Sequence, residues 1–134
     1  MKGSKFVDTN VLIRVWEAKP EFVTWLKRLS ENRKIVYVPS VVVAEVIWVL
    51  TSFYKISRLE IKSFVDTISN TECLKIATKH DIYKAISLYE SSNVKFTDCM
   101  IAGYLDENDT IISEDRDFDK LSGTKREEVL SRLS

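Results

Sequence analysis

Five carboxylates in this chain stand where an ionised group is costly. Asp8 joins two apolar runs in FVDTNVLI, and Glu45 interrupts VPSVVVAEVIWVL. Asp98 opens the apolar stretch of FTDCMIAGYL, and Asp115 and Asp117 follow the β-branched run of TIISEDRDF. A carboxylate removed from water needs a compensating donor, cation or metal. Taken singly, Asp8 and Asp98 also suit helix N-caps. Glu45 has no such role, because Val42, Val43, Val46 and Ile47 around it are apolar, and an unpaired Glu is rarely buried. If these acids converge, they repel and raise one another's pKa. Helix N-termini relieve only about 0.3–1 kcal/mol each, too little to hold four anions together. A divalent cation is the stronger answer. Hard oxygen donors without a supporting His or Cys set select Mg²⁺ or Mn²⁺ over Zn²⁺. One or two such ions suit phosphodiester hydrolysis.

Convergence depends on the elements that carry the acids. The spacing predicts a strand over residues 5–8, a helix over 9–16 and a second helix entered at Pro20. The β-branched and aromatic residues 35–38 read as a strand, closed by Pro39-Ser40 with Ser40 as a cap. The long run after it reads as a buried helix. Ser57 and Glu60 form a capping box for the next helix. Residues 73–76 read as a short strand. Residues 81–91 read as a helix with Ile82, Ala85, Ile86 and Tyr89 inward. Thr97 is placed to cap a helix over 98–105, residues 110–113 read as a strand, and residues 125–133 read as helical. No final strand is legible after Asp117. Strands alternating with helices predict an α/β fold with a parallel sheet between helical layers. Ligands of such sheets gather beyond the carboxyl ends of the strands. Asp8, Asp115 and Asp117 approach that edge directly, and Glu45 and Asp98 reach it from the first turns of their helices.

The remaining features narrow the class. At 134 residues the chain is expected to form a single domain over 1–134. It is 45% apolar and 30% charged, with 20 basic and 20 acidic residues, so net charge does not mark it as a polyanion binder. A local basic patch remains compatible with that balance. Cys73 and Cys99 are too few for a disulfide framework and are expected as reduced thiols of a cytoplasmic protein. No secretion signal or membrane span is expected. His80 is alone and reads as structural. Asp66, Asp81, Glu90, Asp106, Glu107, Asp109 and Asp119 read as solvated or capping residues. Trp16, Trp25 and Trp48 read mostly as core.

The four blocks FVDTNVLI, VPSVVVAEVIWVL, FTDCMIAGYL and TIISEDRDF, in that order, resemble the acidic blocks of the PIN domain, and more narrowly of VapC-type toxins. The resemblance spans residues 5–121. It implies a three-layer α/β/α sandwich with a short, mostly parallel central sheet. It also implies an Mg²⁺- or Mn²⁺-dependent endoribonuclease, usually a homodimer, inhibited by a cognate antitoxin. By position, Asp8, Glu45 and Asp98 match the first three family acids, and Asp115 and Asp117 are equal candidates for the fourth. Thr9, Asn10 and Ser113 match small polar positions that brace the acids. Arg14, closest to Asp8, and Arg116, between the late acids, are the expected phosphate contacts on the RNA substrate.

Other readings fit less well. A haloacid-dehalogenase-like phosphatase wants a second Asp two residues after the nucleophile, where Asn10 stands. A response-regulator receiver wants paired acids at its first strand end. A PIN-fold binding module without catalysis, or an RNA-processing nuclease without an antitoxin, shares the fold and differs in use.

Overall fold

The structure is a computed structural model and describes residues 3–133. The chain runs β1 (Lys5–Val7), α1 (Thr9–Trp16), α2 (Pro20–Glu31), β2 (Val36–Pro39), α3 (Ser40–Ser52), α4 (Arg58–Asn70), β3 (Leu74–Ala77), α5 (Ile82–Ser91), α6 (Phe96–Ala102), β4 (Thr110–Ile112), a 3-10 helix (Arg116–Lys120), β5 (Lys125–Glu127) and α7 (Val129–Leu133). The strands form one five-stranded sheet in the order β3-β2-β1-β4-β5. Every pairing is parallel. The expected α/β/α arrangement is therefore the one the chain builds.

The sheet is central because its inner strands β1, β2 and β4 are mostly apolar, as parallel strands covered by helices must be. Val7, Val36, Val38 and Ile111 are wholly buried. Val11 and Leu12 of α1, Val42, Val46 and Leu50 of α3, and Cys99 and Ile101 of α6 complete the core. The chain turns back at β1: β2 and β3 extend one way, β4 and β5 the other. Val7 sits opposite Ile112 in the register. The residues that follow them, Asp8 and Ser113, thus emerge side by side at the switch point, where open parallel sheets hold ligands.

Several expectations are corrected. Residues 125–133 do not form one helix; they form β5 and then α7. Lys-Arg-Glu has no apolar alternation, so nothing local marks a strand. Tertiary pairing with β4 decides it, aided by a Lys5–Glu127 ion pair at 2.7 Å. Arg126 of β5 donates to the Ser113 carbonyl at 3.0 Å and grips Asp119 with two bonds of 2.9 and 3.0 Å. Glu114 accepts from the backbone N–H groups of Val129 and Leu130 and caps α7. The last strand thereby braces the loop that carries the late acids.

On α5 the buried residues are Ala85 and Leu88, whereas Ile82, Ile86 and Tyr89 are about half exposed. The helix packs chiefly on α6, where the Tyr89 ring sits edge-on to Phe96 while staying about half exposed. Helix α6 starts at Phe96, not Asp98, and Thr97 does not cap it. Ser40 is the first residue of α3 rather than its cap. The Tyr104 hydroxyl meets Ser40 Oγ at 2.7 Å and accepts from Val41 N at 3.3 Å, supplying a cap from across the fold. The Ser57 cap forms as expected, accepting from Glu60 N at 3.2 Å. His80 is structural: Nε2 lies 3.0 Å from the Met100 carbonyl, and the ring packs on Tyr104. A Cβ at Gly103 would come within 2.6 Å of that ring nitrogen and 2.9 Å of the Asp81 carbonyl, so glycine is required there. Trp25 is core, Trp16 is half-buried and Trp48 is 60% exposed.

Candidate metal centre and active site

The acids come together from four separated segments. Asp8 directly follows β1 and is the N-cap of α1, its Oδ1 accepting from Thr9 N at 2.7 Å. The cap and the site member are thus one residue. Its other oxygen accepts the Ser113 hydroxyl at 2.7 Å. Glu45 lies in the second turn of α3, and its Oε1 accepts the Thr9 hydroxyl. Asp98 lies in the first turn of α6 and is only 2% exposed. Asp115 is the N-cap of the 3-10 helix, accepting from Asp117 N at 2.9 Å.

Asp8, Thr9, Asn10, Arg14, Glu45, Asp98 and Asp115 line one cleft of about 440 Å³. Ser113 is wholly buried beneath it and acts as a hub. Its hydroxyl donates to Asp8, accepts from Asp115 N at 3.0 Å and lies 3.4 Å from Asn10 Nδ2. The two late acids differ in setting. Asp115 faces the cleft, while Asp117 sits beside it in an ion pair with Lys120 at 3.1 Å. Arg116, between them, is exposed and is not among the residues lining the cleft.

Sequence reasoning missed four lining residues: Ile13, Glu17, Val49 and Lys95. Ile13 of α1 and Glu17, the C-cap of that helix, are one turn apart, and Val49 is one turn beyond Glu45 on α3. That spacing was a usable signal. Glu17 accepts the Tyr54 hydroxyl at 2.7 Å. Lys95 stands three residues before Asp98, and its charge was the available clue.

Burial and mutual repulsion show in the titration of the acids. Asp8 is pushed up to about 6, chiefly by burial. The bonds from Ser113 and Thr9 oppose the rise, and Glu45 and Asp115 add to it. Asp98 is pushed up to about 7, again chiefly by burial. Lys95 opposes the rise, and Asp8, Asp115 and Glu45 add to it.

The donor set fits a hard divalent cation. Asp98, Asp115 and Asp117 each offer an oxygen, and these atoms lie within 4.8 Å of one another. Asp98 Oδ2 and Asn10 Oδ1 are buried without a hydrogen-bond partner. A buried carboxylate oxygen without a hydrogen-bond donor is stabilised when a cation meets it. Among the described residues no His or Cys joins the cluster, which keeps it on the oxygen-loving side of metal choice. Cys99 is buried and donates weakly to the Val94 carbonyl, a packing role.

Ser113 gives a test of this scaffold. Ser113→Ala leaves the part-buried Asp115 N–H without its acceptor and Asp8 Oδ2 without its donor. Each loss costs about 1–3 kcal/mol. A thermal melt is expected to show a clear drop in midpoint, and a midpoint equal to that of the wild type would count against the hub.

Comparison with known proteins agrees with the geometry. The PIN domain family model matches residues 5–123. A VapC ribonuclease of Aquifex aeolicus (strain VF5) is 32% identical over 100 residues, which cover 72% of this chain and 74% of that protein. Among solved structures, VapBC2 from Rickettsia felis, bound to a DNA fragment from its promoter, superposes with a TM-score of 0.72 at 18% identity. That match covers 92% of this chain and 97% of the other. DNA-bound VapBC from Salmonella typhimurium gives 0.71 at 18% identity, covering 96% and 99%. A fold with its acids at the switch point, a family model spanning nearly all of the strands and a relative at this identity lead to one conclusion: the chain belongs to the PIN domain family.

Proposed function

We propose that this protein is a metal-dependent endoribonuclease and the toxin of a toxin–antitoxin pair. The observation that carries the reading is the convergence of Asp98, Asp115 and Asp117 donor atoms within 4.8 Å, with Asp8 and Glu45 lining the same cleft. Asp8, Glu45, Asp98 and one or both of Asp115 and Asp117 would hold Mg²⁺ or Mn²⁺. When bound, such an ion lowers the pKa of water and neutralises charge on a phosphate. The chain's own residues do the rest. Ser113, Asn10 and Thr9 fix the carboxylates in register. Arg14 lines the cleft and is placed to meet a substrate phosphate. Asp98 or a late acid takes the proton as water attacks in line, leaving 5′-phosphate and 3′-hydroxyl ends.

An antitoxin and a second copy of the chain are the proposed protein partners. Trp48, Phe53 and Leu59 are 60–77% exposed, and exposed apolar surface of this kind marks interaction sites. Similar solved structures include a toxin–antitoxin complex from Klebsiella pneumoniae and two DNA-bound VapBC structures. No helix among the described residues is long and apolar enough to cross a membrane.

Single-stranded RNA incubated with the purified protein tests the activity. Cleavage should stop with a chelator and return with Mn²⁺ or Mg²⁺, and the products should accept ligation through a 5′-phosphate. A 2′-deoxy substitution at the cut position should leave cleavage intact. Cleavage that persists in chelator, or that needs the 2′-hydroxyl, overturns the proposal. A binding module without catalysis would bind RNA and never cut it.

A further inference from the structure

Two fixed cations line the acidic cleft, Arg14 on α1 and Lys95 beside α6. Neither is in an ion pair among the described residues, although carboxylates line the same cleft. The Arg14 guanidinium is partly committed, lying 5.5 Å from the centre of the Phe22 ring. Lys95 is exposed, and its ammonium has no side-chain hydrogen bond among the described residues. Its backbone is anything but free. The Lys95 carbonyl accepts from Asp98 N at 3.1 Å and from Cys99 N at 3.3 Å. The root of the lysine is therefore held in register with the acid three residues on.

An ammonium anchored at its root and unpaired at its tip suits a ligand arriving from solution. The cleft poses a problem that such a group solves. Its carboxylates repel a polyanion, and a strand of nucleic acid entering it needs a fixed positive charge at the rim. Lysine offers three donors on a flexible stem and binds phosphate as a point charge.

We propose that Lys95 is an RNA-binding residue that contacts a substrate phosphate at the rim of the acid cleft and so places the strand against Asp98. The inference deepens the nuclease reading and rests on it. The competing explanation is purely electrostatic, in which Lys95 only offsets repulsion among the acids.

The test compares wild type, Lys95→Gln and Lys95→Arg on a single-stranded RNA with Mn²⁺ over a range of KCl. For Lys95→Gln, the plot of log kcat/KM against log salt should be shallower by about 0.7, the loss of one phosphate contact on a single strand. KM should rise about tenfold with kcat nearly unchanged, and Lys95→Arg should restore the slope. An unchanged slope and KM in Lys95→Gln overturns the inference. So does a variant in which only Mn²⁺ half-saturation or the melting temperature moves, since that is the signature of the electrostatic role. A wild type that cuts no RNA with metal overturns the nuclease reading itself. A wild type that cuts while Lys95→Gln matches it removes Lys95 alone.

Discussion

Asp8→Asn is expected to lower metal-dependent RNA cleavage by about 10³-fold or more while leaving the metal-free protein no less stable at pH 7.5. The loss follows from removing a donor that a cation needs. Charge stabilisation by such an ion is worth several kcal/mol, and each 1.36 kcal/mol is a factor of ten in rate. The stability follows from burial. Asp8 is 4% exposed, and its pKa near 6 means that at pH 7.5 the fold holds an ionised group it would rather hold neutral. An amide removes that conflict. Its oxygen can still accept from Thr9 N, and its nitrogen can donate to Ser113 Oγ once that hydroxyl turns its hydrogen away. Rates and melting curves on one preparation decide the matter. A variant that is inactive because it is unfolded, or one that keeps wild-type rates, contradicts the account. Loss of activity without loss of stability is the usual mark of a site strained for function.

The second large effect couples pH to metal. In the metal-free protein, Asp8 and Asp98 have folded pKa values of about 6 and about 7, above the ordinary 3.8. The folded state therefore binds these protons more tightly than the unfolded state does. Their contribution to stability is fully present below about pH 4 and is lost as pH rises, first through 6 and then through 7. Binding a cation needs both groups ionised, so the two effects run in opposite directions. Melts with and without Mn²⁺ at pH 5 and pH 8 should show a small rise at the lower pH and a large one at the higher. At a concentration 100 times the dissociation constant the stabilisation is about 2.7 kcal/mol, on the order of 10 °C for a domain of this size. An equal shift at both pH values, or none at pH 8, would remove the buried carboxylates as the place where metal acts.

Several helices were legible because their patterns are local. Pro20 enters α2, Ser57 caps α4, and the run VVVAEVIWVL is a helix because it is too long for a strand buried in so small a sheet. The failures share a cause. β5 is built from Lys125, Arg126 and Glu127, whose side chains carry no periodic signal, and it exists because β4 offers an unpaired edge. The exposure of Ile82, Ile86 and Tyr89 depends on which face of α5 the rest of the fold covers, and apolar spacing along the helix does not encode that.

By itself, the sequence determined that acids would sit against apolar runs at the ends of strands and the starts of helices. It also determined that hard oxygen donors, with no histidine or cysteine set, would be what those places offer. Hydrophobic periodicity and donor chemistry are properties of neighbouring residues, and both can be read in one dimension. Tertiary structure alone decided that β1 lies between β2 and β4, so that Asp8 meets Ser113 across a gap of 105 positions. It also decided that Asp115 lines the cleft, that Asp117 offers an oxygen to the acid cluster while pairing with Lys120, and that Lys95 joins the rim. Those outcomes depend on strand order and on the rotation of a short 3-10 turn, which are set by which surfaces bury best against each other across the whole chain.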